Sequence, residues 1–590
     1  MCYHILPNRG NREFYILREV GQTGADSICK RKGEGVNFTG RSQAMRVWLL
    51  LALAAALLAH GRALWADFAW DDTPLIRQNE CGPDDIDWSR VWGRDIGACL
   101  PTGHASGYWR PLQTTAFLLV RKTFGDSPLP FHLLNLLLHL LAVWGVWRLG
   151  RALSLTPTAT VAAALLFAAH PAHVEQVALA SNLGGLLTVA LLLHALAFAV
   201  GEGRRALLAA ALFAVALLTK EEALALPALA IWATAFLPGA KMRETLRRSW
   251  PVIIALVALS ALYLLWRWLG PVPGPLKPAT TDWFGPVDIP VALGYYAVRL
   301  FSPLPGNPDL SALVGAWNGG CAQTAALIYL VVGIGAVALL LALLWRGGVG
   351  RLLAGLFVLA YLPYAGIAPL HTPLAEHYLY LASVPALLGA GVLFDRLRGR
   401  RIVLAVVVVA FVAGTAVAHG HWRNDQALWT HATRVACPGH RALKNRAAVM
   451  LVLGRHLEAE TLLRRALKTA PSIDAELRAS LGSVLLMRGK LDDATDQFEK
   501  ALVLDKNNKR ALSGLAVVRI REGWPGAALP LLKRALENHP NDAGLWSNLG
   551  VAQAKLEKYD EARVAFERAL ALDSSLAGAR EALDALPPVD

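Results

Sequence analysis

The sequence predicts an all-α protein in two parts, a polytopic membrane domain followed by a soluble α-solenoid. Of its 590 residues, 55% are hydrophobic and only 17% are charged, whereas a soluble domain carries charge on about a quarter of its residues. About eleven apolar runs of near-bilayer length fill residues 45–420. Beyond about Arg441 the apolar regime ends and a repeat with a 34-residue period begins.

The runs cover residues 47–64, 131–147, 154–169, 185–200, 206–218, 223–236, 251–269, 325–344, 352–367, 378–393 and 402–418. Lys and Arg total 58 against 44 Asp and Glu, and much of that excess sits in the turns between runs. Arg148 and Arg151, Arg204 and Arg205, Lys241 with Arg243, Arg247 and Arg248, Arg346 and Arg351, and Arg396, Arg398, Arg400 and Arg401 mark one side of the membrane. This is the positive-inside pattern, not a surface for nucleic acid. An odd number of spans, with a basic stretch before Val47, puts the N-terminus in the cytoplasm and everything after Ala418 outside, in an inner or plasma membrane. Residues 1–44 are polar, Gly-rich and without periodicity, and are expected to be a disordered extension. The first apolar helix lacks an evident cleavage site and reads as a retained span. Residues 421–440 read as a linker and 441–590 as the repeat domain.

The same alternation places residues 65–110, 170–182, 219–222, 270–323 and 368–377 on the outer face, and nearly all the unusual polar residues fall there. Asp71 and Asp72 form a carboxylate pair just beyond the first span. Such a pair supplies a general base toward a hydroxyl, or caps a helix. Tyr108-Trp109-Arg110-Pro111 returns an Arg to the outer surface. His132, Asn135 and His139 lie on one helical stripe, as interhelical hydrogen bonding requires. His170-Pro171-Ala172-His173-Val174-Glu175 suggests a metal only weakly, because the spacing is not that of a zinc helix and the Pro interrupts it. Lys220 is a cation on the outer side, partnered by a phosphate or by Glu221 or Glu222. Glu376-His377-Tyr378-Leu379-Tyr380 is an interfacial aromatic belt or a cavity wall. Cys81 and Cys99 share one outer loop, where a disulfide and two free thiols are equally open.

In the C-terminal part Leu481, Leu515 and Leu549 are spaced 34 apart, as are Ala494, Ala528 and Ala562, and Ala501, Ala535 and Ala569. These units resemble tetratricopeptide repeats, about four of them between residues 441 and 583. Such arrays stack helix pairs into a groove that binds extended protein segments, although a packing or dimerisation module is the alternative.

The order Trp70-Asp71-Asp72, Tyr108-Trp109-Arg110-Pro111-Leu112, Phe131-His132 through His139, His170-Pro171 with His173 and Glu175, Lys220-Glu221, Glu376-His377-Tyr378, then tetratricopeptide repeats, resembles the transmembrane and tetratricopeptide-repeat O-mannosyltransferases and their bacterial relatives. These belong to the GT-C superfamily. The resemblance implies transfer of a sugar, mannose or another hexose, from a polyprenyl-phosphate donor to Ser or Thr hydroxyls of a protein at the outer face. It implies Asp71 as the catalytic carboxylate with Asp72 beside it, and Arg110 and Lys220 on the donor phosphate. His170, His173, Glu175, Glu376, His377 and Tyr378 would line the donor or sugar cavity. No cofactor is required, the lipid-linked sugar being a substrate, and a divalent metal is compatible but not indicated. The expected partners are the lipid-linked donor, membrane lipid and an acceptor protein in the repeat groove. Relatives commonly carry an Arg followed by an acidic residue after the His-Pro turn, where this chain has Ser181-Asn182-Leu183-Gly184-Gly185. They often read Glu-Arg-Tyr in place of Glu376-His377-Tyr378. Two rivals are a membrane-anchored scaffold for envelope complexes and a transferase acting on polysaccharide.

Overall fold

The computed structural model describes residues 4–7, 14–17, 38–82, 85–100, 107–201, 205–270, 285–313, 316, 321–365, 374–435, 437–469 and 474–588, so Arg204 lies outside the described residues. The chain divides into a unit of residues 1–47 and a unit of residues 48–590. In the first, β1 (His4–Pro7) pairs antiparallel with β2 (Phe14–Leu17), Ile5 opposite Ile16. This short ladder is the strand pair in an otherwise helical set of described elements. Its two segments, His-Ile-Leu-Pro and Phe-Tyr-Ile-Leu, carry the β-branched and aromatic residues that favour strands.

α1 (Phe38–His60) starts ahead of the apolar run. Two short helices, α2 (Trp88–Gly93) and α3 (Pro111–Phe124), follow in the first loop. Then come α4 (Pro128–Ala152), α5 (Pro157–Ala169), α6 (Val174–Ala178), α7 (Leu183–Val200), α8 (Ala206–Leu217), α9 (Leu226–Ala235) and α10 (Met242–Leu269). α11 (Asp288–Arg299), α12 (Gln323–Arg346), α13 (Gly348–Tyr361), α14 (Leu379–Arg396) and α15 (Arg400–His421) complete the apolar part. Every one of the eleven apolar runs is helical. Among the described residues, however, seven helical segments are long and apolar enough to cross a membrane, those built on α1, α4, α7, α10, α12, α14 and α15. Seven of the roughly eleven expected spans thus have full bilayer length, and the others are shorter apolar helices. α5, α8, α9 and α13 have 13, 12, 10 and 14 residues, against the roughly 20 a bilayer requires. Polar punctuation shortens them: Thr156-Pro157 and His170-Pro171 bound α5, and Lys220-Glu221-Glu222 separates α8 from α9. The Thr156 hydroxyl caps α5 by accepting the Ala159 N–H at 3.2 Å, with Pro157 at the first helical position.

α5 and α7 lie inside the bundle, whereas α10, α12 and α15 expose most of their apolar surface, as lipid-facing helices do. Close crossings depend on glycine. A Cβ on Gly391 of α14 would run into the Ala159 carbonyl of α5, and one on Gly294 of α11 into the Tyr329 carbonyl of α12. Across the same contact Gly333 of α12 abuts the Pro290 carbonyl.

Residues 421–440 are more than a linker, because they contain α16 (Asp425–Ala432), capped by the Asn424 side chain accepting the Ala427 N–H at 2.9 Å. The array then runs as four helix pairs: α17 (His440–Val452) with α18 (His456–Thr469), α19 (Ala475–Met487) with α20 (Leu491–Leu504), α21 (Lys509–Arg521) with α22 (Pro525–Asn538), and α23 (Ala543–Ala554) with α24 (Tyr559–Leu572). α25 (Ala577–Asp584) closes it. The 34-residue positions are the packing positions: Ala494, Ala528, Ala562, Ala501, Ala535 and Ala569 are all fully buried. Gly482 and Gly514 both face the Phe498 ring, and Gly550 faces Phe566, so a small residue in one helix makes room for the aromatic of an adjacent one.

Cys81 is disulfide-bonded to Cys99, which settles the open choice for that pair. Cys321, ahead of α12, is joined to Cys437, ahead of α17.

Gly333→Leu is expected to force α11 and α12 apart, at a cost of about 2–3 kcal/mol, and to lower the melting temperature of the detergent-solubilised protein; an unchanged melting temperature would refute the close crossing.

Candidate functional site

The loops assigned to one face in the sequence do meet at one end of the bundle, held by side-chain contacts. The basic residues mark the other end. Arg148 sits over the Phe198 ring at 4.0 Å and Arg151 over Trp147 at 5.0 Å. On α4, Asn135, thirteen residues before Arg148 or about 20 Å along the axis, donates to the Val177 and Leu179 carbonyls at 3.3 and 2.7 Å beside the site.

Trp70 adopts φ +50°, a left-handed conformation uncommon for a tryptophan. Its N–H donates to the Asp425 carboxylate at 2.8 Å, and its ring meets Trp429 edge-on at 5.3 Å between centroids. Just upstream the Asp67 N–H donates to the Arg423 carbonyl at 2.8 Å. α16 therefore braces the segment that presents the two carboxylates.

Those carboxylates meet different surroundings. Asp72 is fully buried and accepts the Ala69 N–H at 3.1 Å and the Ser181 N–H at 2.7 Å. Burial pushes its pKa up to about 7 against the pull of these donors. It holds the turn that presents Asp71. Asp71 is exposed. Solvent reaches it, yet the protein packed around it still disfavours the charged form, and burial raises its pKa to about 6. The charges of His377 and Arg441 draw it down, and those of Glu175 and Asp425 push it up.

Glu175, on α6, is buried and grips the late turn at 376–378. Its carboxylate accepts the Glu376 N–H at 3.0 Å, the His377 N–H at 3.2 Å and the His377 Nδ1 at 2.6 Å. Glu376 is ion-paired with Arg299 of α11 and accepts the Tyr295 hydroxyl at 2.7 Å. Arg299 also donates to the Leu304 carbonyl at 2.7 Å. Tyr378 is buried and stacks on Tyr364, centroids 4.4 Å apart.

His170 and His173 are both fully buried. His170 donates from Nε2 to the Leu300 carbonyl at 3.1 Å and accepts the Ala172 N–H at 3.2 Å. His173 joins the Phe167 carbonyl and the Ser383 hydroxyl, both at 3.0 Å. Burial drives His170 down to about 4 and His173 well below its ordinary value, so both rings are neutral. All four ring nitrogens are used within the protein, so these residues brace the His-Pro turn.

Arg110 and Lys220 come close to one another through a shared acidic turn. Arg110 donates twice to Glu221, at 3.1 and 3.0 Å, and lies 4.4 Å over the Tyr108 ring. Burial opposes the Arg110 cation, but Glu221 outweighs it and raises the guanidinium pKa above its usual range. Lys220 lies 3.6 Å from Glu222. It also flanks Gly185 at the start of α7, together with the Gln176 amide.

Sequence reasoning missed Ser181, Tyr295, Arg299, Asp425 and Arg441. For Asp425 the signal was present: Asn424-Asp425 is a helix-start pattern directly after the last apolar run. Nothing local marks the others, whose partners are far away in the chain.

Residues 111–268 match the family model of dolichyl-phosphate-mannose-protein mannosyltransferase, and residues 445–511 and 543–576 match tetratricopeptide repeat models. The chain is similar to the protein O-mannosyl-transferase Tmtc2 of Drosophila melanogaster, 37% identical over 131 residues, covering 22% of this chain and 14% of the relative. It is also similar to protein O-mannosyl-transferase F38B6.6 of Caenorhabditis elegans, 31% identical over 169 residues, or 26% of this chain and 24% of the relative. The matches thus span less than a quarter of these relatives' length. Among solved structures, residues 41 to the end of MamA from Desulfovibrio magneticus RS-1 match at 24% identity and TM-score 0.22, over 24% of this chain and 81% of that one. The mannosyltransferase family model thus matches part of the membrane domain, and the tetratricopeptide repeat models match parts of the C-terminal array.

Arg299→Met is expected to leave the Glu376 charge buried and unpaired and to destabilise the protein by about 3–5 kcal/mol. Adding Glu376→Gln should recover part of that loss in thermal melts; no recovery would argue against the pair.

Proposed function

We propose that this chain is an integral-membrane glycosyltransferase that moves a hexose, mannose in the first instance, from a polyprenyl-phosphate carrier to a Ser or Thr hydroxyl of a protein. The observation that carries the reading is Asp71: an exposed carboxylate with a pKa raised to about 6, on a braced turn, beside a family match to mannosyltransferases. A base with a pKa just below neutrality is ionised at working pH and still accepts a proton readily.

The reaction is a single displacement. The acceptor oxygen forms a bond to the anomeric carbon, the bond from that carbon to the carrier phosphate breaks, and the hydroxyl proton passes to Asp71. The phosphate departs with the electron pair. His377, oriented by Glu175, and Tyr378 would line the sugar cavity. Arg110 and Lys220 serve the leaving phosphate by exchanging Glu221 and Glu222 for phosphate oxygens, with the glutamates keeping both cations aimed beforehand. No cofactor enters this chemistry. The repeats take the acceptor protein, on the outer face of the membrane.

One observation favours the scaffold reading: Arg110, Lys220, Glu221 and Glu222 sum to no net charge. Measured transfer separates the two. Membranes carrying the protein, given a panel of polyprenyl-phosphate hexoses and a Ser/Thr-rich acceptor, should transfer sugar, with Asp71→Asn lowering kcat by about 10²–10⁴-fold. Asp71 must be ionised to act, so the wild-type rate should rise as pH increases through about 6 and level off above. Undiminished transfer by Asp71→Asn would move the base elsewhere, and no transfer across the panel would favour the scaffold.

A further inference from the structure

The first helix of the repeat array reaches into the Asp71 site. We propose that Arg441, in the first turn of α17, is a positioning residue for Asp71, so that the repeat array forms one wall of the transfer centre. This rests on the transferase reading of that site.

Three sets of contacts fix the start of α17 there. The Ala442 N–H donates to the buried Asp309 carboxylate at 2.7 Å, while the other Asp309 oxygen takes the Ser311 N–H at 3.1 Å. Gly439 lies so close to Asp309 and Ser311 that a Cβ would not fit. The Cys321–Cys437 bond ties the chain down just before this turn. Ala442 itself is fully buried in one apolar cluster with Ala69 and Trp70, which precede Asp71, and with Val174 and Ala178 of α6, which flank Glu175. Arg441 is the residue immediately before that contact.

The charged groups that act on Asp71 come from four elements: His377 from the late turn, Arg441 from α17, Glu175 from α6 and Asp425 from α16. Asp72 next to it is occupied by the Ala69 and Ser181 N–H groups. Glu175 is engaged with His377, and Asp425 with the Trp70 N–H. A guanidinium stays charged at every working pH. Arg441 is thus the permanent cation among the four, and it keeps Asp71 ionised further into the acid range than burial alone would allow. An acceptor segment lying along α17, α19, α21 and α23 would pass Arg441 to bring its hydroxyl to Asp71.

The test uses the full chain in nanodiscs, with R441A, R441K and R441E. The Asp71 carboxyl is titrated by infrared difference spectroscopy against Asp71→Asn, and transfer is followed from pH 5 to 9. In R441A the Asp71 titration and the acid limb of transfer should both move up by about one pH unit. R441E should move them further, and R441K should return them to the wild-type position with kcat largely restored. An Asp71 titration unmoved in R441A and R441E overturns the proposal, as does an R441K that behaves like R441A. If wild-type membranes transfer no sugar while the titration still shifts, the coupling stands and the transferase reading fails.

Discussion

The buried carboxylate of Asp72 is the contact on which the arrangement of the site depends. It draws together two segments 109 residues apart by accepting the N–H groups of Ala69 and Ser181. In doing so it closes the first loop onto the turn that follows the His-Pro pair. An acceptor lost there would leave two buried donors without partners, each costing about 1–3 kcal/mol. The left-handed Trp70 persists for a related reason, being held by Asp425 and Trp429. Strain of that kind is sustained only where the surroundings over-determine it. Asp71 is consequently presented on a turn fixed from both sides, by the membrane domain through Asp72 and by the post-membrane helix through Asp425.

The other loops lock in the same way. Glu175 grips the turn at 376–378, Arg299 neutralises Glu376, and His170 reaches the Leu300 carbonyl. These contacts sit where helices end and backbone groups have no intrahelical partner, in surroundings where an unpaired polar group is expensive. Deeper in the bundle the same economy holds: His139 pairs with the Tyr380 hydroxyl at 2.7 Å and His60 with His419 at 2.9 Å. Most of the polar residues at this end of the bundle are therefore structural.

The two-domain organisation was legible in the sequence because it depends on local quantities. Apolar runs mark membrane helices wherever they pack, and all eleven became helices. The 34-residue period survives because Ala494, Ala528 and Ala562 must each fit the same close helix crossing. Length was read less well: α5, α8, α9 and α13 have apolar composition without bilayer length. In the site, Asp71 was identified with its pair, but the pair looked symmetrical. Two adjacent Asp residues offer nothing in sequence to say which one finds two backbone donors.

What the sequence by itself determined is the set of helices, the repeat period and the grouping of polar loops at one end, since these follow from hydropathy, spacing and charge along the chain. Only the tertiary structure decided which of those polar residues are free. His170, His173, Glu376 and Asp72 became braces, while Arg299, Asp425 and Arg441 entered from segments that carry no motif. The reason is physical: a carboxylate or imidazole acts as brace or reagent according to the donors, acceptors and charges within a few ångströms of it, and here those come from residues tens to hundreds of positions away.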